Sequence, residues 1–218
     1  MGQKRIAVVL AGAGKMDGSE IQEAVLLLTA IDEAGLAYQC FAPDVEQHHV
    51  VDHLSGEEMP ERRSVMRESA RIARGEVQPL SAFRAEDFDA LAFPGGFGVA
   101  KNLCTYALAG ADCTINEEVR AAIVAMHAAG KPIGAMCIAP ILLALALGKG
   151  RITLGGECDA AADARKLGAE TVVAGKREAV IDPQNKLFTT PCYMLDSSPA
   201  EVAAGAREMV GAMVKALA

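Results

Sequence analysis

Short apolar segments rich in branched residues alternate with longer amphipathic segments along most of this chain. The short segments are typical of buried strands, and the longer ones are typical of helices that cover a sheet. This alternation is the pattern of βαβ units, whose strands pair in parallel because each helix carries the chain back across the sheet. We therefore predict an α/β fold of the flavodoxin-like type, with a doubly wound, mostly parallel sheet and helices on both faces.

The alternation is interrupted once, by the segment of about 45–80, which contains a predicted hairpin near Ser55-Gly56 and a predicted helix. No flexible linker flanks this segment, so we interpret it as an insertion within a single domain that covers residues 1–218. Strands are predicted at residues 5–10, 38–42, 89–93, 132–136, 151–154, 171–173, 178–181 and 186–190. Helices are predicted at about 20–34, 59–74, 116–129, 140–147, 160–167 and 199–217.

Composition excludes several classes of protein. The net charge is −7 and no cluster of Lys and Arg stands out, which argues against a nucleic-acid surface. No segment reaches the roughly 18 apolar residues that span a bilayer, so no membrane partner is expected. The first apolar segment follows the amino terminus at once and fits a strand better than a signal peptide. We expect a cytoplasmic protein.

The six cysteines are scattered without any CxxC pair. This spacing predicts neither a disulfide scaffold nor a zinc ribbon. Most of the thiols are expected to be buried as small apolar groups.

Cys137 stands where a predicted strand passes into a predicted helix, between the small residues Ala135 and Ala139. A nucleophile elbow needs this arrangement, because the nucleophile adopts a strained backbone and bulky residues two positions away would clash. Pro140 suits the first turn of the helix, whose positive dipole end is expected to favour the thiolate. A buried, inert cysteine at a strand end is the alternative.

Pro94-Gly-Gly96 follows another predicted core strand. Two glycines there let a backbone N–H approach a substrate closely, so Gly96 and Ile138 are candidate oxyanion donors over Cys137. A plain tight turn explains the two glycines equally well.

Glu20 is the candidate acid or base, because it follows the first strand at the same edge of the predicted sheet. The stretch Asp17-Gly-Ser-Glu20 also fits a capping box, in which Asp17 caps the next helix and Glu20 reaches back to the cap amide. Both interpretations remain open at this stage.

All four histidines precede Cys137, so a Cys-His triad of the glutaminase type, which needs a downstream histidine, is not expected. His48, His49 and His53 lack an accompanying set of cysteines or carboxylates, so no metal site is predicted. His127 fits a packing or surface position on a helix.

Gly12-Ala-Gly14 follows the first strand and is a partial dinucleotide motif. A complete motif has a third glycine where this chain has Asp17, whose carboxylate would repel a pyrophosphate. We therefore expect no bound cofactor.

Seven blocks of sequence resemble the ElbB-type isoprenoid-biosynthesis glyoxalases, in the PfpI-like branch of the class I glutamine amidotransferase-like superfamily. The resemblance covers nearly the whole chain. The blocks are Asp17-Gly-Ser-Glu-Ile21, Cys40-Phe-Ala-Pro-Asp44, Ala70-Arg-Ile-Ala-Arg-Gly75, Pro94-Gly-Gly-Phe-Gly98, Ala100-Lys-Asn-Leu103, Met136-Cys-Ile-Ala-Pro140 and Thr189-Thr-Pro191 with Tyr193-Met-Leu195.

The resemblance implies a nucleophilic Cys137, a carboxylate partner at Glu20 and backbone donors at Gly96 and Ile138. It also implies a cofactor-free glyoxalase that converts glyoxal or methylglyoxal to glycolate or lactate without glutathione, and it leaves a homodimer open. Protease-like relatives often carry His directly after the cysteine, and this chain has Ile138, so peptide hydrolysis is not expected.

In the predicted mechanism, the Cys137 thiolate forms a hemithioacetal with a small 2-oxoaldehyde and Glu20 moves a proton through an enediol. The rival hypothesis is a non-catalytic, stress-related or regulatory protein in which Cys137 senses oxidants.

Overall fold

The computed structural model describes residues 2–217, which contain eleven strands. Seven of these strands form one central sheet, and the other four form two small sheets. In chain order the strands are β1 (Arg5–Val9), β2 (Ala37–Ala42), β3 (Val50–Val51), β4 (Glu58–Met59), β5 (Val77–Pro79), β6 (Ala90–Phe93), β7 (Ile133–Met136), β8 (Arg151–Ile152), β9 (Glu170–Thr171), β10 (Val180–Asp182) and β11 (Leu187–Thr190). The α-helices are α1 (Ile21–Glu33), α2 (Val65–Ile72), α3 (Tyr106–Ala109), α4 (Glu117–Ala128), α5 (Pro140–Leu147), α6 (Asp159–Lys166) and α7 (Pro199–Ala216).

The central sheet has seven strands in the order β10-β11-β7-β6-β1-β2-β5. All neighbours are parallel except β10 and β11, which form the antiparallel hairpin that the turn at 182–185 predicted. The chain leaves β1 toward β2 on one side and returns to β6 on the other. The carboxyl ends of β1 and β6 therefore flank the topological switch point, where open α/β sheets bind ligands.

Helices cover both faces of the sheet. On one face, α1 and α7 pack through apolar side chains that include Leu27, Ile31 and Met209. On the other face, α4, α5 and α6 contribute a second cluster that includes Ile123 and Leu142. Each face is buried because the central strands are apolar on both sides, as parallel strands usually are. The predicted doubly wound α/β fold is confirmed.

Several predicted boundaries differ from the structure. The helix predicted over 59–74 is confined to α2, because Glu58 and Met59 instead pair with β3 in a small hairpin. The end of the inserted segment of about 45–80 forms β5, which extends the edge of the central sheet beside β2. The strands predicted at 151–154 and 171–173 form a separate parallel pair, β8 and β9.

A short helical region after β6 was not predicted. It contains one π-helical turn at Val99–Leu103, followed by α3. Among the described residues, no helix is long and apolar enough to cross a bilayer.

Candidate active site

Cys137 directly follows β7 and has a left-handed backbone, with φ at +58°. This conformation is strained for a residue with a side chain, and strain of this kind persists only where the surroundings hold it. Here β7 is paired on both sides, and the Cys137 N–H donates to Thr190 O on β11 at 3.0 Å. Pro140 begins α5 three residues later. The turn is thus the strand-to-helix elbow that the sequence predicted.

The Cys137 side chain lies on the wall of a cavity of about 780 Å³, called here the Cys137 cavity. Its volume falls within the usual range of small-molecule sites. Part of the lining is apolar or aromatic and comes from Phe97, Ile138, Tyr193, Met194 and Leu195. Polar groups come from Lys15, Glu20 and Gln22. This lining suits a small organic molecule with a polar, reactive end.

Glu23 is the carboxyl group that contacts the Cys137 thiol. It lies in the first turn of α1 and its residue is fully buried. Its Oε2 accepts a hydrogen bond from the Gly95 N–H at 2.9 Å, and its Oε1 accepts one from the Tyr193 N–H at 3.2 Å. These two amides hold the carboxyl group in one orientation, facing the thiol. Glu23 was not among the residues predicted from the sequence.

Glu20, the predicted acid or base, has a different position. It is the N-cap of α1, and its Oε2 accepts a hydrogen bond from the Glu23 N–H at 2.7 Å. The predicted capping box is wrong, because α1 begins at Ile21 and Asp17 does not cap it. Asp17 instead accepts a hydrogen bond from the Val51 N–H at 2.8 Å. Glu20 still lines the Cys137 cavity.

The surroundings of Glu23 raise the pKa of its carboxyl group to near neutral pH. Burial raises the pKa of its carboxyl group from 4.5 to about 7, although the hydrogen bonds from the Tyr193 amide, Cys137 and the Gly95 amide act in the opposite direction. Nearby Glu20 also raises it. A carboxyl group with a pKa near the working pH can both accept and donate a proton.

The pKa of the Cys137 thiol is also raised, well above its usual value. Burial is the largest cause, followed by the Glu23 carboxylate and the Cys192 thiol. The expectation that the thiolate is favoured is therefore wrong, because burial disfavours the charged form of the thiol. Cys137 rests as a thiol and needs a base, and Glu23 is the group placed to serve as one.

The two predicted backbone donors also face the cavity. Gly96 has φ at +104° and lines the Cys137 cavity. Ile138 follows Cys137 in the elbow and lines the same cavity. Within residues 2–217, neither amide donates to an oxygen of the protein. Both N–H groups are thus free for an oxygen atom of a bound substrate.

Gly95 makes the contact between Glu23 and Cys137 possible. A Cβ on Gly95 would lie 2.5 Å from Glu23 Oε2, 2.4 Å from Cys137 Cβ and 2.9 Å from Cys137 Sγ. No side chain fits between the carboxyl group and the thiol.

We predict that Gly95→Ala lowers the free energy of unfolding by about 2 kcal/mol, because the added methyl group overpacks a rigid site. Urea unfolding measures this change. Gly156→Ala is the matched control, because a Cβ there meets no atom within 4 Å and the backbone φ is not positive. Equal stability of the two variants would contradict the prediction.

None of the histidines lines the Cys137 cavity. His49 contacts Lys101 through Nε2 at 2.8 Å, and His53 Nε2 accepts a hydrogen bond from the Met16 N–H at 3.2 Å. Both interactions tie the hairpin of β3 and β4 to the rest of the fold. Over residues 2–217, no three His, Cys, Asp or Glu side chains are grouped to hold a metal ion.

Comparison with known proteins places the chain in a family. A human protein named glutamine amidotransferase-like class 1 domain-containing protein 3, mitochondrial, is 44% identical over an alignment 221 residues long. The alignment covers 97% of this chain and 81% of the human protein. The chain belongs to this family of glutamine amidotransferase-like class 1 proteins. A rat member, named ES1 protein homolog, mitochondrial, is 43% identical over 97% of this chain and 82% of its own. No family model matches the chain.

Solved structures agree with this family. A crystal structure from Ehrlichia chaffeensis, described as an isoprenoid biosynthesis protein with an amidotransferase-like domain, superimposes with a TM-score of 0.92 at 39% identity, over 99% of this chain and 100% of that one. A ThiJ/PfpI domain protein from Brachyspira murdochii shares the fold, with a TM-score of 0.62 at 14% identity over 98% of this chain and 99% of that one. The resemblance to the glutamine amidotransferase-like superfamily is confirmed, and the ThiJ/PfpI domain protein shows that its fold is the same.

One expectation from the sequence is overturned by these relatives. A cytoplasmic protein was expected from the sequence, whereas the family members from rat, human and zebrafish are all named as mitochondrial proteins.

Proposed function

We propose that this family member is a glutathione-independent glyoxalase, which converts a 2-oxoaldehyde and water to a 2-hydroxy acid at Cys137. One observation carries the proposal. The Cys137 thiol lies on the wall of a cavity, against a buried carboxyl group whose pKa is about 7. A thiol that forms a covalent adduct and a carboxyl group that moves protons at neutral pH are the two groups that this reaction needs.

The reaction begins with addition of Cys137 to the aldehyde carbon. Glu23, as the carboxylate, takes the thiol proton while the sulfur forms a bond to that carbon. The aldehyde oxygen gains negative charge and is stabilised by the amides of Gly96 and Ile138, two residues that line the cavity and whose N–H groups have no acceptor within residues 2–217. Glu23 then returns the proton to this oxygen, which gives a neutral hemithioacetal.

Glu23 next moves a proton between the two carbons of the adduct. It removes the hydrogen from the former aldehyde carbon and passes a proton to the former ketone oxygen, which gives an enediol. It then takes the enol proton from the former aldehyde oxygen and delivers a proton to the former ketone carbon, which leaves a thioester at Cys137. Water hydrolyses this thioester, which releases the 2-hydroxy acid and restores the thiol. The net change is addition of one water molecule to the 2-oxoaldehyde, without any external oxidant.

The role predicted for Glu20 is therefore revised in this proposal. Glu23 is the group in contact with the thiol. Glu20 caps the amino-terminal end of α1 beside it, where its side chain accepts a hydrogen bond from the Glu23 N–H. Glu20 also raises the pKa of Glu23 through the repulsion of like charges, after the larger effects of burial and hydrogen bonding.

The test is turnover of methylglyoxal and glyoxal by the wild-type protein in D2O, without glutathione or added metal, with lactate and glycolate followed by NMR. We expect many turnovers per thiol, and deuterium on the former ketone carbon of lactate, because a proton on Glu23 exchanges with solvent. Lactate that keeps the substrate hydrogen there would instead indicate a direct hydride shift.

The same assay separates the rival hypothesis. A protein that only senses oxidants consumes at most about one equivalent of a reactive compound per thiol. Absence of turnover, together with a single oxidant-reactive thiol at Cys137, would overturn the glyoxalase proposal and favour the sensor.

A further inference from the structure

A second thiol, Cys192, lies beside Cys137 and has no part in the chemistry above. The parallel pairing of β7 and β11 places Met136 opposite Thr190, so the two chain segments leave the sheet side by side. Cys137 follows Met136 by one residue, and Cys192 follows Thr190 by two. Cys192 is fully buried and also has a left-handed backbone, with φ at +46°.

The contacts of Cys192 point toward the reactive thiol. Cys137 and Cys192 belong to the same buried cluster, and the Cys137 N–H donates to Thr190 O at 3.0 Å, two residues before Cys192. The Glu23 carboxyl group acts on both thiols. All three residues are buried, and Cys137 is the one of them that lines the Cys137 cavity.

The other thiols differ in this respect. Cys40 is buried within β2, and Cys104 makes its contact with Val99 O at 3.4 Å after the π-helical turn. Cys113 is half-buried and Cys158 is exposed. None of these four stands within two residues of β7 or β11, whereas Cys137 and Cys192 both do.

We propose that Cys192 is the resolving thiol of Cys137, which captures the sulfenic acid formed when a hydroperoxide oxidises Cys137 and closes an internal Cys137–Cys192 disulfide. The inference goes beyond the glyoxalase proposal, because it concerns protection and reversible inactivation of the nucleophile. It does not require that any aldehyde be turned over.

The electrons and atoms balance in two steps. In the first, Cys137 attacks the outer peroxide oxygen, its proton passes to Glu23 and on to the leaving oxygen, and the products are a sulfenic acid and an alcohol, or water from hydrogen peroxide. In the second, the Cys192 sulfur attacks the Cys137 sulfur, hydroxide leaves and takes the Cys192 proton through Glu23, and water is released. Two thiols lose two electrons in total, and one peroxide gains them.

The disulfide removes the free thiol and so switches the Cys137 chemistry off. It also protects the site, because a sulfenic acid without a nearby thiol proceeds to sulfinic acid, which is not readily reversed. A dithiol reductant restores both thiols by exchange.

The test is oxidation of the full chain with about two equivalents of hydrogen peroxide, alkylation of the remaining thiols, and peptide mass spectrometry without reduction. We expect a linked pair of peptides that carry Cys137 and Cys192, which separates after treatment with dithiothreitol. In Cys192→Ser we expect at least about tenfold more sulfinic acid at Cys137 than in the wild type. Cys158→Ser is the matched control, because that cysteine is exposed, and it should behave as the wild type.

Cys192→Ala is tested alongside, because a serine hydroxyl in a fully buried position costs stability. The proposal is overturned if wild-type Cys137 proceeds to sulfinic acid without forming the linked pair, or if Cys137 pairs with another cysteine. Peptide mapping does not depend on turnover, so failure of this proposal and failure of the glyoxalase proposal are distinguishable.

Discussion

Glu23→Gln should lower kcat/KM for methylglyoxal by about 10²- to 10⁴-fold at neutral pH, because glutamine cannot carry a proton between sulfur, oxygen and carbon. Cys137→Ser should lower it by at least about 10³-fold, since removal of a nucleophile removes the covalent route. Glu20→Gln should lose less than about tenfold, because Glu20 caps α1 and does not contact the thiol. Steady-state lactate formation measures all three.

The pH profile separates a catalytic Glu23 from a merely structural one. In the wild type, kcat/KM should rise with pH through about 7, where Glu23 loses its proton and becomes the base for the thiol. This rise should be absent from the residual activity of Glu23→Gln and retained in Glu20→Gln. Cys158→Ser, at an exposed cysteine, controls for the handling of thiol variants. The assignment of Glu23 is wrong if Glu20→Gln loses the rise and Glu23→Gln keeps it.

The second large effect concerns stability rather than rate. The pKa of Glu23 is about 7 in the folded protein and near 4.5 when the chain is unfolded, so the folded state holds this proton more tightly. The stabilisation from the neutral carboxyl group is complete below about pH 4.5 and is lost as the pH rises through about 7. Across this range, Glu23 should lower the free energy of unfolding by about 3 kcal/mol.

Urea unfolding of the wild type and of Glu23→Gln, at several pH values from about 5 to about 8.5, measures this contribution. Glutamine has a constant cost, because its amide group faces one of the two N–H donors, but this cost does not vary with pH. Asp89 and Asp182, whose pKa values are lowered, act in the opposite sense and are present in both proteins. Only the difference between the two curves reports on Glu23. Parallel curves would show that its pKa is not raised.

The elbow was predictable from sequence because its requirements are local. A strand pattern, a cysteine with alanines two positions away on each side and a proline at the start of a helix lie within a few residues of each other. The pKa of the thiol was not predictable in the same way. It depends on burial by segments far away in sequence, and this burial raises the pKa.

Glu23 was not predicted from the sequence, because the direction of its side chain depends on the residue at which α1 begins. With the helix starting at Ile21, Glu23 stands four and eight residues before the buried Leu27 and Ile31. It therefore belongs to the face that packs on the sheet. A charged residue on that face was the available signal, since buried carboxyl groups need a reason. Glu20 was predicted instead, because it follows the first strand at the same edge of the sheet.

Features that depend on contacts between segments distant in sequence were harder to predict. The pairing of β5 with β2 depends on where the segment after α2 meets the sheet edge, which no local pattern specifies. Likewise, Cys192 approaches Cys137 only through the register of β11 against β7. The spacing of scattered cysteines in the sequence does not indicate which of them lie close together in the fold.

The two parts of the cavity wall differ in how freely they can change during evolution. The thiol, the carboxyl group and Gly95 form one contact that accepts no added atom. Phe97, Met194 and Leu195 come from connecting segments outside the strands, and Phe97 is 56% exposed. Exchanges among these three side chains alter which molecules fit while the reactive pair stays in place. A scaffold of this kind can acquire new substrates without reinventing its chemistry.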